Sequence, residues 1–290
     1  MYVKALGGKL LLNYTIRGHD LTGCRTLEQL AQQASDQGVH SLQLALGFSF
    51  PELAGADQLN PGMGHYIKRA LAEKEVEVGL LSCYINMIHP DVERRELLLQ
   101  RFEAYLRNAR YFGASMVASE TGCVLPEIQY TEKNFTDEAF NELIPVIKRL
   151  VAVGEKHQML VGIEPGLNHP LYSLERVCQL LEAVDSDYLG IILDPTNLIH
   201  SANYQQQVAI VEEAFARFGE KIVAVHLKDF AIQQGQITPV NLGDGLIDYQ
   251  SILAIVEKQR PLTYVVLEET KDEGIGKGLR LLQDMSSTNL

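Results

Sequence analysis

The chain is poor in cysteine, in basic residues and in long apolar runs, and each shortage removes a class of protein. Only 4 cysteines occur in 290 residues. They stand apart at Cys24, Cys83, Cys123 and Cys178, with no CxxC and no closely spaced Cys/His pair. That excludes a disulfide framework and fits free thiols in a reducing compartment. No stretch of about 18 uninterrupted apolar residues is present, so no membrane span is expected. The segment MYVKALGGKLLLNYT also lacks a long apolar block followed by a small-residue cleavage site. The expectation is a cytoplasmic protein with no membrane partner. Bases are outnumbered, with 25 Lys and Arg against 37 Asp and Glu and a net charge of -12. Binding to a nucleic-acid backbone draws its affinity from clustered Lys and Arg. Here basic residues are scattered, as in Arg94, Arg95, Arg101, Arg107 and Arg110 along one helical stretch. No aromatic residues interleave with them, so nucleic acid is not an expected partner.

Linkers, low-complexity tracts and repeats are missing too, which predicts one domain over residues 1–290. Its 46% apolar content is enough for a sizeable core. Short apolar or β-branched runs near residues 9–14, 41–46, 76–82, 115–118, 159–163, 189–193, 222–226 and 263–268 read as strands. Stretches of helical spacing lie between them: TLEQLAQQAS, MGHYIKRALAEK, PDVERRELLLQRFEAYLRNARYF, TDEAFNELIPVIKRLVAVGEKH, SLERVCQLLEAV, YQQQVAIVEEAFARFG and DYQSILAIVEK, with GKGLRLLQDM after the last strand. Thr26, Asp91, Ser173 and Asp248 are candidate N-caps. Gly113, Gly154, Gly190 and Gly219 fall between helices and the following strands, where a left-handed terminus is often needed. Strands this short and continuously apolar suit a parallel sheet covered by helices. Eight β/α units in a chain of this length predict a (β/α)₈ barrel, with its active site at the C-terminal ends of the strands. A doubly wound sheet would show a glycine-rich turn after its first strand, whereas GGK at Gly7 to Lys9 precedes it.

Four of these runs, VGIE, GIILD, VAVH and YVVLE, end on Glu164, Asp194, His226 and Glu268. Burying an acid at the end of an apolar strand is costly unless it is paired or bound to something. In a barrel these ends share one rim, and the shared partner they imply is a divalent cation. Three carboxylates and one imidazole suit Mn²⁺, Mg²⁺, Co²⁺ or Zn²⁺, and the sequence does not choose among them. The bland alternative makes each acid a helix cap or surface residue.

Neighbouring residues extend the candidate site. His89 in the IHPD turn lines the pocket or serves its loop, and Glu120 binds a substrate hydroxyl or caps a turn. His169 and His200 lie in βα loops, where they approach the substrate from above or, the expected reading, serve the loops alone. Lys228 shares the inward face with His226 by the period-two rule, to hold a sugar oxygen or to pair with Asp229. The GDG turn at Gly243 to Gly245 has the form of a phosphate cradle, but no Lys or Arg adjoins it in sequence. A tight turn before the helix at Asp248 is its expected role.

The segments VGIEPGLNHP, GIILDPTN, VAVHLKD, NLGDGLIDY and VVLEE, with SCYINMIHPD and SETG before them, resemble the xylose-isomerase-like TIM barrels. That family includes sugar phosphate isomerases and epimerases, inosose isomerase, tagatose epimerase and the apurinic endonucleases. The resemblance covers most of the chain and is strongest from about residue 80 onward. It implies that Glu164, Asp194, His226 and Glu268 hold a single metal ion, with Glu164 and Glu268 also acting as acid and base. It also implies a homo-oligomer, dimer or tetramer, since barrels of this likeness commonly pair through helices near the rim. Two departures matter. Where the epimerases often carry a His three residues after the strand-six Asp, this chain has Asn197, which hydrogen-bonds a hydroxyl but cannot shuttle a proton. The endonucleases' close Asp/His pair is missing from ITPVNLGDG, so one metal is expected and not three.

The expected chemistry is isomerisation or epimerisation of a ketose, keto-polyol or sugar phosphate through an enediolate, which a divalent ion stabilises. The same site fits a dehydratase of a keto-polyol such as inosose. A sugar- or metal-binding protein without catalysis is the alternative of another class, and an endonuclease is the weakest.

Overall fold

The computed structural model describes residues 12–288. In chain order the elements are β1 (Asn13–Arg17), α1 (Leu27–Asp36), β2 (Ser41–Ala45), the short α2 (Leu46–Ser49), α3 (Pro61–Ala72) and β3 (Glu77–Ser82). Then come α4 (Val92–Phe112), β4 (Met116–Glu120), α5 (Asp137–His157), β5 (Leu160–Glu164), α6 (Leu174–Val184), β6 (Leu189–Leu193) and α7 (Gln207–Phe218). The chain continues through β7 (Ile222–Lys228), a hairpin of β8 (Phe230–Gln233) and β9 (Gln236–Pro239), α8 (Tyr249–Gln259), β10 (Tyr264–Glu268) and α9 (Glu273–Thr288). Eight parallel strands close in the order β1-β10-β7-β6-β5-β4-β3-β2, the expected (β/α)₈ barrel. No helix among the described residues is long and apolar enough to cross a membrane.

The helices start where side-chain acceptors stand. Thr26, Asp91, Ser173 and Asp248 accept from the backbone N–H of Gln29, Arg94, Arg176 and Ser251, as the sequence predicts. Of the four glycines proposed as left-handed termini, only Gly113 fills that role, with φ 86°. Gly154 lies inside α5, whose left-handed terminus is Gln158. Its lack of a Cβ admits the Met159 carbonyl, which would stand 2.6 Å away. Gly190 sits in β6, where a Cβ would meet Val223 Cγ1 at 2.6 Å. Gly219 has φ −54° and needs no glycine conformation.

Two further features differ from the sequence reading. Among the described residues the first strand runs over Asn13–Arg17, beyond the expected end at 14, because its inward residues Thr15 and Arg17 are polar and hide the strand among apolar neighbours. The GGK turn and the start of that first candidate lie outside the described residues. The β8–β9 hairpin has no counterpart among the expected strands. It is antiparallel, largely exposed and turned by Gln234 and Gly235 at φ 51° and 79°, so it carries no apolar signature.

Alternation along the strands builds the interior in steps. Leu80, Met116, Ala118, Ile192, Ala224 and Val266 form a buried cluster separate from the larger core between barrel and helices. Two residues beyond Ala118, Ile192, Ala224 and Val266 on the same inward face come Glu120, Asp194, His226 and Glu268. The barrel floor is therefore an apolar plug, with a layer of ionisable side chains directly above it.

Candidate metal centre

Glu164, Asp194, His226 and Glu268 are all buried, and one ligand atom from each lies within 4.8 Å of the others. What surrounds them explains the convergence. Each residue has one polar atom held from outside. Glu164 Oε1 accepts from Asn197 Nδ2 at 2.7 Å, and Asp194 Oδ1 accepts from the Thr196 N–H at 2.8 Å. Glu268 Oε1 lies 2.9 Å from both Arg17 Nη1 and Lys228 Nζ. His226 Nε2 donates to Gln43 Oε1 at 2.9 Å, because the Gln43 amide nitrogen is already donating to the Tyr84 hydroxyl. That bond keeps a proton on Nε2 and turns Nδ1 toward the carboxylates, so that the neutral ring would offer its Nδ1 lone pair to an ion there.

The remaining atoms turn toward one another. His226 Nδ1 lies 2.5 Å from Glu268 Oε2 and 3.2 Å from Glu164 Oε2. His226 Nδ1 and Glu268 Oε2 are buried without a well-aligned hydrogen bond, and Asp194 Oδ2, which also lacks one, faces the Lys228 ammonium at 3.0 Å. Close approach without hydrogen-bond geometry is what a donor set aimed at a common point produces, and the set of three oxygens and one nitrogen fits a divalent cation.

Charge around the cluster is divided unevenly. Burial raises the Glu164 carboxyl above the ordinary range, with His226 opposing, and burial raises Asp194 with Lys228 opposing. Burial would raise Glu268 as well, but Lys228, His226 and Arg17 override it and hold the group well below that range. Burial would lower His226, and its two glutamate neighbours instead push it up to about 10 in the metal-free cluster.

The other candidates divide. Lys228 points into the cluster, reaching Asn197 Oδ1 at 2.7 Å, Glu268 Oε1 at 2.9 Å and Asp194 Oδ2 at 3.0 Å. Asn197 thus bridges Glu164 and Lys228. Glu120 pairs with Glu164 across adjacent strands, and its carboxylate stands 3.5 Å from His169 Nε2. His169 is buried, and its Nδ1 donates to the Gly122 carbonyl at 2.8 Å. His89 folds onto its own turn, where its Nδ1 accepts from the Asp91 N–H at 3.1 Å. His200 is exposed.

Sequence reasoning missed Arg17 and Gln43. Arg17 binds Asp20 through Nε and Nη2 at 2.8 Å each, in addition to Glu268 and Glu269. Its signal was a lone arginine in an otherwise uncharged run, NYTIR. Gln43 is a fully buried amide inside LQLAL. Outer partners that fix a ligating histidine typically change metal affinity about 10- to 100-fold when removed. Gln43→Leu should therefore weaken Mn²⁺ binding by about that factor, read by equilibrium titration; unchanged affinity would show that Gln43 does not set the imidazole.

Asp229 does not pair with Lys228. Its carboxylate accepts from the N–H groups of Phe230, Gly243, Gly245 and Ile247 at 2.7–3.0 Å. The GDG turn does cradle an anion, but the anion is the protein's own, and a Cβ at Gly245 would strike Asp229 Oδ1. Asp229→Ala orphans these donors and should cost about 3 kcal/mol or more in urea unfolding. A loss under about 1 kcal/mol would mean that the loop rebuilds its bonds.

Fold and cluster together define a parallel barrel with a cation-sized acidic site on its C-terminal rim. Residues 29–285 match the xylose isomerase-like TIM barrel family, and the chain belongs to it. It is similar to the 3-oxo-isoapionate decarboxylase of Pectobacterium atrosepticum, with 23% identity over 232 residues that cover 78% of this chain and 71% of that one. Among solved structures, a D-tagatose 3-epimerase-like protein superposes with a TM-score of 0.75 at 15% identity, covering 94% of this chain and 97% of its own. The IOLI protein, solved with a bound zinc atom, gives 0.72 at 15% identity over 96% of this chain and 99% of its own. At those identities the structural likenesses show the fold alone.

Proposed function

We propose that the chain is a divalent-metal-dependent isomerase of a ketose, keto-polyol or sugar phosphate, with Glu164 as its acid/base. The observation that carries this reading is the unequal holding of the two glutamates. Glu268 has one oxygen between two cations and the other against His226, so it is committed as an ionised ligand. Glu164 Oε1 is held only by a neutral amide, and its burial favours taking up a proton. An ion held by Glu164, Asp194, His226 and Glu268 would polarise a substrate carbonyl and stabilise the enediolate. Glu164 removes the proton from the carbon beside that carbonyl and returns it to the former carbonyl carbon on the same face, while the proton of the adjacent hydroxyl passes to the former carbonyl oxygen. Asn197 orients Glu164, and Lys228 supplies positive charge beside the reacting oxygens.

One base on one face suits a 1,2-shift; epimerisation by two opposed glutamates would need Glu268 to be free. The same one-sidedness favours a second reading, a lyase that releases carbon dioxide or water and needs a single proton delivery. Similarity to a decarboxylase supports it. The test is NMR of Mn²⁺-loaded protein in deuterated water with ketoses and keto-polyols, with sugar phosphates, and with 3-oxo acids. Isomer formation with deuterium at one carbon is expected. Loss of carbon dioxide or water from the substrate would decide for the lyase, and inertness toward all three sets would sink both.

A further inference from the structure

A cavity of about 150 Å³ opens at the rim where β2 and β3 end, with Ala45, Phe48, Ser82, Cys83, Tyr84 and Arg101 in its wall. Two of its polar atoms lack a geometric hydrogen-bond partner among the described residues. Ser82 is 1% exposed and its Oγ has no hydrogen-bond partner, and Arg101 Nε is likewise buried and unpartnered. Buried donors without acceptors are rare enough in folded proteins to call for an explanation. Water accounts for the space, at about 30 Å³ per molecule, but not for the charge.

The charge is the second observation. Three arginines on α4 and α5 have carboxylate partners, Arg95 with Glu142, Arg107 with Glu103, and Arg149 with Glu96 and Glu103, while the exposed Arg94 and Arg110 have none at ion-pair distance among the described residues. Arg101, half-buried in the same surface, has no carboxylate at ion-pair distance among the described residues. Its Nη2 donates to the Tyr84 carbonyl at 2.9 Å, which fixes the guanidinium in place without neutralising it. The adjacent Cys83 thiol is pushed up to about 12 by burial and provides no countercharge. In a chain with a net charge of -12, a positioned and uncompensated arginine marks a place kept for an outside anion.

Tyr84 connects this cavity to the metal centre. It lines the cavity, while its hydroxyl accepts from Gln43 at 2.8 Å and Gln43 in turn holds His226. We propose that the Ser82/Arg101 cavity is the subsite for the anionic end group, carboxylate or phosphate, of a substrate whose carbonyl end lies at the metal centre. This assignment rests on the carbohydrate-enzyme reading above.

The test is calorimetric titration of inorganic phosphate and of glycolate into the Mg²⁺-loaded full chain, repeated in EDTA so that anions on the metal are separated from anions in the cavity. Saturable binding of at least one probe that persists in EDTA is expected. Arg101→Met should weaken it about tenfold or more, as loss of a charge-assisted bond does, and Ser82→Ala about threefold. A tighter phosphate indicates a phosphorylated substrate, and a tighter glycolate a sugar acid. Absence of saturable binding, or equal affinity in Arg101→Met, overturns the proposal. A loss in Arg101→Met with none in Ser82→Ala places the anion outside the cavity and overturns it as well. If Arg101→Met does not fold, Ser82→Ala decides alone, with unchanged affinity counting against the site. Mn²⁺ binding, measured separately, decides the metal-centre reading, so either conclusion can fail without the other.

Discussion

Glu164→Gln should reduce turnover by about 10²- to 10⁴-fold, the usual worth of a positioned general base. Its effect on metal binding should be smaller. Gln retains an oxygen for the ion and keeps the length of the side chain, and the other three donors remain. The loss should fall on kcat with little change in KM, because the missing interaction belongs to the proton-transfer step. Glu268→Gln should behave differently. Removing that charge strips the partner from Arg17 Nη1 and Lys228 Nζ, both at 2.9 Å, so metal affinity and stability fall together with activity. Parallel kinetics and Mn²⁺ titrations of the two variants read the contrast directly. If Glu164→Gln kept turnover within about threefold while Glu268→Gln retained its metal and lost turnover, the assigned roles would be reversed.

The parts of the site legible in sequence share one property. Glu164, Asp194, His226 and Glu268 follow unbroken apolar strands, so a change of polarity marks the rim at each of them. Parallel strands buried on both faces make that change abrupt, and the barrel brings the four ends together whatever the loops do. Lys228 was legible by strand parity once β7 was placed. Arg17 and Gln43 were not, for opposite reasons. Arg17 ends a strand whose inward positions, Thr15 and Arg17, are polar, so the apolar run ends at 14, short of it. Gln43 is one amide inside an apolar strand and has no local mark of its role until His226 is seen across the barrel. His169 depends on how a loop folds back, which strand and helix periodicity do not encode. The GDG turn is the tight turn expected before α8, and what its sequence does not reveal is the anion it cradles, Asp229, from 14 positions earlier in the chain.

Lys228→Met should destabilise the metal-free chain by about 3–5 kcal/mol, the cost of leaving buried charge without its partner. Lys228 is 9% exposed, and its ammonium serves Glu268, Asp194 and Asn197 together. Its removal leaves Glu268 to Arg17 and His226 and takes from Asp194 Oδ2 the cation at 3.0 Å. Methionine fills similar space, so packing loss contributes little. A divalent ion brings back the missing positive charge at the same carboxylates. Saturating Mn²⁺ stabilises a folded state that binds it, by about 2.7 kcal/mol at a hundred times the dissociation constant. The deficit of Lys228→Met should therefore narrow in Mn²⁺ and reopen on adding EDTA, as followed by urea unfolding. Lys228→Arg should recover only part of the stability, because a planar fork cannot reproduce the three contacts of a compact ammonium. A deficit under about 1 kcal/mol in the metal-free chain would show that the carboxylates are neutralised by protons and not by Lys228.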